Sequence, residues 1–457
     1  LALLYVEMLQ ELDRLDDAAA YVATLPRNEV SALSLAELWV ALERWDDVIG
    51  LTTGVENTDD FTALMLVYRG IAFRAQGHYD AAREAFRSGD ARKQPSSLDR
   101  WLVRQITTRL GDSSPVKIAL WDEADVAPRD GTVRMRILDS KALFMLVVHP
   151  DLHFGDLYSA GRIEVRGDFR VLLEEAYRYT TENTALGSLL ARFRALAPDL
   201  SESKRNIHHH YDIGNDFYNL WLDRDAHQYT CAYFADPSMT IEQAQQAKMH
   251  HVCRKLQLKP GETVVEAGSG WGGFALFMAQ NYGVRVRTFN ISKEQVGFAR
   301  AWAKQRNLDN QVEFVEDDYR NATGNYDAFV SIGMLEHVGV GNYKGLGALM
   351  GKLIGPNGRG LVHSIGRDTP AMLNAWIDKR IFPGAQPPTI RQMMDMFEPN
   401  GLSVLDLENI RLHYAKTLEW WLQRYEENVE AVRGMFDETF VRAWRLYLVG
   451  SIAAFTT

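Results

Sequence analysis

Residues Val264 to Phe274 read VVEAGSGWGGF. A short β-type run, Thr263-Val264-Val265, meets a cluster of small residues, and the apolar helical pattern Phe274-Ala275-Leu276-Phe277-Met278-Ala279 follows. The stretch predicts a strand, a glycine turn and a helix, the opening unit of a doubly wound α/β sheet. Gly268, Gly270 and Gly272 have no Cβ, so the backbone there can turn sharply and approach a ligand closely. A nucleotide-like ligand is expected outside the strand's carboxyl end, near the helix N-terminus.

The spacing GxGxGG is not the dinucleotide GxGxxG, and it lacks the Lys-Ser/Thr of a phosphate loop. ExGxGxG after a strand, starting here at Glu266, resembles the loop of S-adenosylmethionine (SAM) methyltransferases. That cofactor carries no phosphate, so there the glycines serve its amino-acid and ribose parts. A plain turn in a helix–sheet domain is the other way to read these letters.

Further strands are expected at Val284 to Phe289, Val312 to Val315, Tyr326 to Ile332 and Gly360 to Ile365, with helices near Phe274 to Gln280, Lys293 to Gln305 and Leu346 to Leu353. Strands and helices alternating at this pitch predict a mostly parallel sheet with helices on both faces. Pro383 to Pro388 reads as a loop, and Leu418 to Ala454 as helical and aromatic.

Upstream, Leu12 to Ala19, Leu42 to Ile49 and Gln76 to Ala82 repeat one pattern, in which Leu15, Trp45 and Tyr79 correspond. That period reads as stacked helix pairs, and the last unit resembles a tetratricopeptide repeat. Residues 1–94 are therefore expected to form an all-α arm, either a concave surface for a protein partner or a packing arm without one. Val116 to Trp121, Val133 to Leu138 and Arg162 to Val165 read as strands of a small α+β domain over 97–190, with a helix through Leu172, Leu173 and Ala176. Gly187 to Lys204 bridges to a third domain, 200–457.

The chain of 457 residues is long enough for several domains. Its formal net charge of −10 argues against nucleic acid as the main partner. Two cysteines, Cys231 and Cys253, make no disulfide framework and fit a reducing cytosol. No apolar run is long enough to span a bilayer, and no signal peptide is read. The first residue is Leu1, not Met, which reads as a fragment. The three histidines in IHHHYDIGNDFY, from Ile207, suggest a metal, but adjacent helical residues face different directions and no acid-flanked HxxxH is present, so no metal is expected. His227 is expected on the surface.

The second strand of a nucleotide-binding sheet usually ends in an acid for the ribose hydroxyls. Here Asn290-Ile291-Ser292-Lys293-Glu294-Gln295 follows, and Asn290 and Gln295 can bond a ribose without adding charge. The third strand leads to Asp317-Asp318-Tyr319, where an acid can accept from an adenine amine and an aromatic can lie on the ring. The fourth leads to Glu336, which points where a sulfonium would lie or serves as a first-turn acid. The aromatic residues Tyr229, Tyr233, Trp271, Phe274, Tyr319 and Trp376 either shield a cation by cation–π contact or simply pack. Cys231 as a nucleophile has no obvious base at this spacing.

From about Ser97 to Phe455 the chain resembles the cyclopropane-fatty-acyl-phospholipid synthase family, which includes the mycolic acid cyclopropane synthases. The matching segments are HYDIGNDFY from His210, YTCAYF from Tyr229, EAGSGWGG from Glu266, ISKEQ from Ile291, DDYR from Asp317, SIGMLEHVG from Ser331, LVHSIG from Leu361, IFPG from Ile381 and HYAKTL from His413. The region before them resembles the family's lipid-binding N-terminal domain.

The resemblance implies methyl transfer from SAM to the cis double bond of an unsaturated phospholipid acyl chain, followed by ring closure with a bound bicarbonate as base. It implies a bicarbonate cradle of Cys231, Glu336, His363, Ile365 and Tyr414, with Cys231 and Ile365 acting through backbone groups. It also implies a SAM site of Tyr211, Tyr229, Thr230, Val265, Glu266, Ala267, Gly268, Ser269, Gly270, Trp271, Gly272, Gly273, Asn290, Ile291, Ser292, Gln295, Asp318 and Tyr319, with Tyr211 covering the cofactor. A bacterial cytoplasmic enzyme, peripheral at the inner membrane face, is expected, and a homodimer is allowed. The substrate would arrive by way of the α+β domain.

Several positions depart from the family pattern. Ser269 stands where many members carry Cys, and Thr230 where many carry Ser. Ser451 falls where some members have a cysteine once suspected of catalysis, so the resemblance implies no such role here. The helical arm is not part of the usual family pattern, and the family's usual final strand is expected to lie beyond Thr457. Relatives that leave a branched methyl share the scaffold, a methyltransferase of soluble small molecules is the rival enzyme, and an inactive scaffold is the non-enzymatic alternative.

Overall fold

The computed structural model describes residues 9, 15–25, 31–56, 60–78, 81, 84–85, 95–110, 114–126, 131–148, 150–181 and 213–457. Part of the third repeat, the bridge from Gly187 to Lys204, the three histidines and Tyr211 lie outside the described residues. The chain divides into two compact units: one holds Leu1–Leu157 and Gly161–Asp168, the other Tyr158–Ala160 and Phe169–Thr457.

The first unit opens with helices α1 (Leu15–Thr24), α2 (Ala32–Ala41), α3 (Trp45–Thr52) and α4 (Asp60–Ala75). Leu15 and Trp45, the corresponding residues of two repeats, each begin a helix. Ala18, Val22, Ala36, Leu38, Val48, Leu64 and Ala72 form their common core. Beyond α5 (Ser97–Arg109) lie three strands, β1 (Val116–Ala119), β2 (Val133–Ile137) and β3 (Ile163–Arg166). β1 pairs with β2 in parallel and β2 with β3 antiparallel. Helices α6 (Ser140–Val148) and α7 (Pro150–Ser159) separate β2 from β3.

The second unit carries the expected parallel sheet. Its strands are β4 (Thr263–Ala267), β5 (Arg285–Asn290), β6 (Val312–Glu316), β7 (Ala328–Ile332) and β8 (Arg359–His363), in the order β6-β5-β4-β7-β8. All four pairings are parallel. The chain moves outward from β4 through β5 and β6, then crosses to β7 on β4's other side. The carboxyl ends of β4 and β7 are therefore the topological switch point, where such sheets bind ligands.

Side chains alternate across each strand. Val264 joins Val286, Val312 and Phe314 on one face, with helices α10 (Ile241–Lys255), α11 (Gly273–Tyr282) and α12 (Lys293–Gln305). Val265 and Ala267 join Phe289 and Phe329 on the other, against α13 (Tyr343–Ile354). Burial on both faces is why these strands read as short apolar runs. Three remaining long helices are α8 (Phe169–Thr181), α15 (Arg411–Glu427) and α17 (Glu438–Thr456); between them in the chain fall α9 (Asn215–Asn219), α14 (Ala375–Arg380) and α16 (Val429–Met435).

Two strand ends differ from expectation for a local reason. Tyr326 gives its N–H to Leu353 O at 2.8 Å, outside the sheet, and the Asp327 side chain takes the Thr263 N–H at 2.8 Å, so β7 begins at Ala328 rather than Tyr326. Ile365 donates its N–H to Glu336 instead of to the ladder, and β8 ends at His363.

Candidate active site

The loop after β4 forms a tight left-handed turn. The N–H groups of Gly268 and Ser269 both bond to Phe289 O, at 3.0 and 3.2 Å, and Gly272 N–H bonds to Ser269 O at 2.8 Å. Gly268, Gly270 and Gly272 have φ of +95°, +50° and +88°. Their surroundings differ. A Cβ on Gly272 would lie 2.7 Å from the Phe314 ring, and one on Gly273 1.9 Å from Ala226 O, whereas a Cβ on Gly270 meets nothing within 4 Å. Gly272 and Gly273 thus serve packing, and Gly270 borders open space. Trp271 is buried, donates its indole N–H to Asn215 Oδ1 at 2.7 Å, and packs against Tyr218 with centroids 4.9 Å apart.

Asn290 at the end of β5 donates to Ser269 Oγ and Gly270 O, both at 3.2 Å, and to Gln295 Oε1 at 2.9 Å. The Ser292 N–H returns to Asn290 Oδ1, and Ser292 Oγ caps α12. Ile291, between them, is half-buried. Gln295 is buried and its Nε2 has no hydrogen-bond partner, a free donor beside the glycine turn. After β6, both oxygens of Asp318 are held by Arg320, at 2.8 and 2.9 Å. The carboxylate that was to meet an adenine amine is already engaged, although each oxygen keeps accepting capacity. Tyr319 is half-buried, with its phenol pushed up to about 12 by burial.

Beyond the switch point, Glu336 sits in a short 3₁₀ turn after β7, 6 % exposed. Its Oε1 accepts the Ile365 N–H at 2.7 Å, and its Oε2 is buried with no hydrogen-bond partner. Burial raises the carboxyl's pKa, against the pull of the Ile365 N–H. His363 ends β8, and its carbonyl takes the Gly333 N–H at 2.9 Å. Its imidazole is pushed down to about 4 by burial, reinforced by the Lys248 charge, so the ring is neutral at pH 7. The structure thus joins Glu336 and Ile365 directly, with His363 two residues before Ile365 at the end of β8.

Cys231 and Tyr414 belong to two segments that are tied to each other. Ala232 N–H bonds to Thr417 Oγ1 at 2.9 Å, and Phe234 N–H to His413 Nδ1 at 3.0 Å, which seats residues 231–234 on α15. Cys231 is 1 % exposed, its thiol donates to Ala232 O at 3.3 Å, and burial pushes its pKa up to about 12. A thiol in that state is no nucleophile. Tyr414 lies against Trp421 and Phe455, with centroids 6.1 and 4.6 Å away. Tyr229 and Thr230 precede Cys231 in the chain. Tyr229 shares a 2.8 Å hydrogen bond with Tyr447 and packs among Tyr218, Trp221 and Trp421. Thr230 Cγ2 would be 2.8 Å from a Cβ on Gly333.

Some expectations resolve into packing. Tyr233 is stacked between His251 and His413, at 4.4 and 4.8 Å, and Phe274 belongs to the sheet's core. Trp376 is buried on α14. His227, expected on the surface, is half-buried between Phe298 and Trp302, because its backbone adopts φ +48° in the turn that Asp223 organises.

A buried ionic cluster escaped the sequence reading. Lys248 on α10 is 2 % exposed, and burial pushes its ammonium down to about 8, opposed by Asp223, Cys231 and Glu266. Burial pushes Glu266 up to about 7, although Thr288 donates to its Oε2 at 2.6 Å. Asp223 goes up to about 6, again by burial, while accepting from Ala226 and Gln228 N–H. A signal existed: Ile241, Ala244, Gln245, Met249 and Val252 form the buried stripe of α10, and Lys248 falls on it.

A glycine turn bordering open space, an unpartnered Gln295 donor and an uncharged Asn290 suit a ligand with ribose hydroxyls and no phosphate. With a five-stranded parallel sheet opened at this switch point, they define a SAM-dependent methyltransferase. Known proteins narrow this further. A probable fatty acid methyltransferase of Pseudomonas putida is 35 % identical over 357 residues, 75 % of this chain and 88 % of that protein. The cyclopropane-fatty-acyl-phospholipid synthase of Escherichia coli K12 is 38 % identical over 247 residues, 54 % of this chain and 63 % of that protein. The mycolic acid cyclopropane synthase CmaA1, solved with SAH and CTAB, superposes with a TM-score of 0.52 at 28 % identity, covering 55 % of this chain and 93 % of that one. The chain belongs to the mycolic acid cyclopropane synthetase family, whose model matches residues 199–457.

Proposed function

We propose that this enzyme adds one carbon from SAM across the cis double bond of an unsaturated phospholipid acyl chain and closes a cyclopropane ring. The names of the Pseudomonas putida and Escherichia coli relatives support modification of fatty acyl chains by such a cofactor. The observation that carries the finer reading is Glu336: a buried carboxyl at the switch point, locked by Ile365, with its second oxygen unpartnered.

SAM supplies an electrophilic methyl group on a sulfonium. An alkene is a poor nucleophile, so the protein's part is to hold the reactants close and dry. Tyr218, Tyr229, Trp271 and Tyr447 pack as an aromatic wall that excludes water. Ring closure also requires a proton to leave the new methyl. Cys231, Glu336, His363 and Tyr414, with Ile365 behind Glu336, would hold the family's bicarbonate, which would supply general-base chemistry there. Glu336 fits that task, since burial raises its pKa, and a carboxyl that takes up a proton more readily can offer an O–H to an anion. The Ile365 N–H is already engaged by Glu336, so Ile365 acts by holding that carboxyl rather than by donating to the anion.

Among the described residues no helix is long and apolar enough to cross a membrane. The acyl substrate lies in a bilayer, and we place the enzyme as a peripheral, cytoplasmic protein at its inner face.

A branched methyl product is the second reading, favoured by the Pseudomonas putida relative's name. Incubation with SAM and vesicles of unsaturated phospholipid tests both. An acyl chain heavier by one CH2, with the high-field proton signal of a cyclopropane, is expected. The same mass gain with a retained alkene signal supports the branched product. Methyl gain only on a head group or a soluble acceptor overturns both.

A further inference from the structure

Lys248 holds a charge where an apolar side chain would pack without desolvation cost. Its partners indicate why it is there. Nζ donates to Gln228 Oε1 and, at 2.9 Å, to Thr230 Oγ1. One turn earlier on α10, Gln245 Nε2 donates to Thr230 O at 2.8 Å and Gln228 O at 3.4 Å. Two side chains of one helix thus clasp residues 228–230. Thr230 is held at both its oxygens, Oγ1 by Lys248 and the carbonyl by Gln245, and its Cγ2 occupies the space that a Cβ on Gly333 would need. Because Oγ1 accepts from the ammonium, the hydroxyl's own hydrogen is directed elsewhere. Thr230 is half-buried, so that hydrogen can reach a ligand. Asp223 and Glu266, 1 % and 3 % exposed, act on the Lys248 charge and keep it from being an isolated buried cation.

Gly268 and Gly333 open the loops after β4 and β7, the two strands at which the order reverses. The proposed site gives the nucleoside half of SAM to the ends of β5 and β6, where Asn290, Gln295 and Tyr319 stand. The amino-acid half would then run the other way, over the ends of β4 and β7, where Gly333 lies next to Thr230. We propose, on that reading of the cofactor site, that Lys248 is a positioning residue for the cofactor's amino-acid end, orienting and polarising the Thr230 hydroxyl so that it donates to the cofactor's carboxylate. A hydroxyl that accepts from a cation is the stronger donor in a low-dielectric site.

Calorimetry on the full chain tests this with two ligands, S-adenosylhomocysteine and 5′-methylthioadenosine, which share the nucleoside and thioether but differ in the amino-acid tail. Lys248→Met and Thr230→Val should each weaken S-adenosylhomocysteine by about 10–100-fold, the size of a hydrogen bond to a charged group. Each should change 5′-methylthioadenosine by less than about 3-fold, and the double variant should be no weaker than the worse single one. Equal weakening of both ligands, which a loss of general structure produces, overturns the proposal, as does an additive double variant. Thr230→Val leaves the buried charge in place, so if Lys248→Met does not fold, an absence of tail-selective loss in Thr230→Val overturns it alone. Wild-type protein that binds neither compound overturns the cofactor reading itself; binding that neither substitution disturbs overturns only the role of Lys248.

Discussion

Glu336 Oε1 takes the backbone N–H of Ile365 at 2.7 Å, and this single bond ties the loop after β7 to the end of β8. It fixes one oxygen and leaves the other buried and without a hydrogen bond. Glu336→Gln keeps the shape, the acceptor for Ile365 and a donor in place of the acid's O–H, but it cannot give up or regain a proton. We expect S-adenosylhomocysteine affinity to stay within about threefold, while kcat falls by about 10²–10³, the size of the loss when a preorganised partner of an anion in the site is mispaired. Steady-state kinetics on vesicles beside calorimetry separates the two. A kcat near that of wild type removes Glu336 from the chemistry.

The glycine turn separates packing from binding. A Cβ at position 273 would press 1.9 Å from the Ala226 carbonyl, which is backbone and cannot swing aside. Gly273→Ala should therefore lower stability by about 2–4 kcal/mol, seen as an early melting transition. Gly270→Ala meets no atom and carries only the cost of a left-handed alanine, about 1 kcal/mol. Its Cβ enters the open space proposed for the cofactor, so S-adenosylhomocysteine affinity should drop about tenfold while the melting temperature barely moves. Undiminished binding in Gly270→Ala would move the cofactor away from this turn.

How much of this could be read beforehand depends on how local each interaction is. The helix Lys293–Gln305 matches its expected bounds because Ser292 caps it and its apolar stripe is regular. The ends of β7 and β8 shifted because partners outside the strands take backbone groups: Leu353 O takes the Tyr326 N–H, Asp327 the Thr263 N–H and Glu336 the Ile365 N–H. The aromatic wall could not be derived from spacing, since Tyr229 meets Tyr447 across 218 residues of sequence and Trp271 meets Asn215 across 56. Lys248 was hidden differently. In IEQAQQAKMHHVCRK one lysine looks like part of a solvated face, and only its place on the buried stripe marks it.

Cys231 and Cys253 are both buried, and burial pushes each thiol up to about 12. At pH 8 roughly 10⁻⁴ of either is then thiolate, the reactive form. A disulfide reagent should find no fast-reacting thiol in the native protein and two after denaturation. Cys231→Ala should cost about 1 kcal/mol of stability from the lost packing and keep activity within about fivefold. Rapid labelling of native Cys231 with matching loss of activity would restore it as a nucleophile.

The neutral His363 ring makes a pH-dependent contribution of definite sign. In the unfolded chain an imidazole protonates near 6.5, and in the fold burial and the Lys248 charge move this one down to about 4. Between those values the unfolded state binds the extra proton, so the contribution is complete above about pH 6.5 and is lost as pH falls toward 4. Glu266 and Asp223, pushed up to about 7 and 6, act in the opposite direction over an overlapping window, because there the folded state holds the proton. The total stability curve mixes these effects, but the difference between wild type and His363→Gln isolates the ring. Denaturant unfolding from pH 7 to pH 4 should show His363→Gln gaining on wild type by about 2–3 kcal/mol as the pH drops. A flat difference over that range would mean that the folded protein protonates His363 as readily as a free imidazole, and that the β8 loop is open to water.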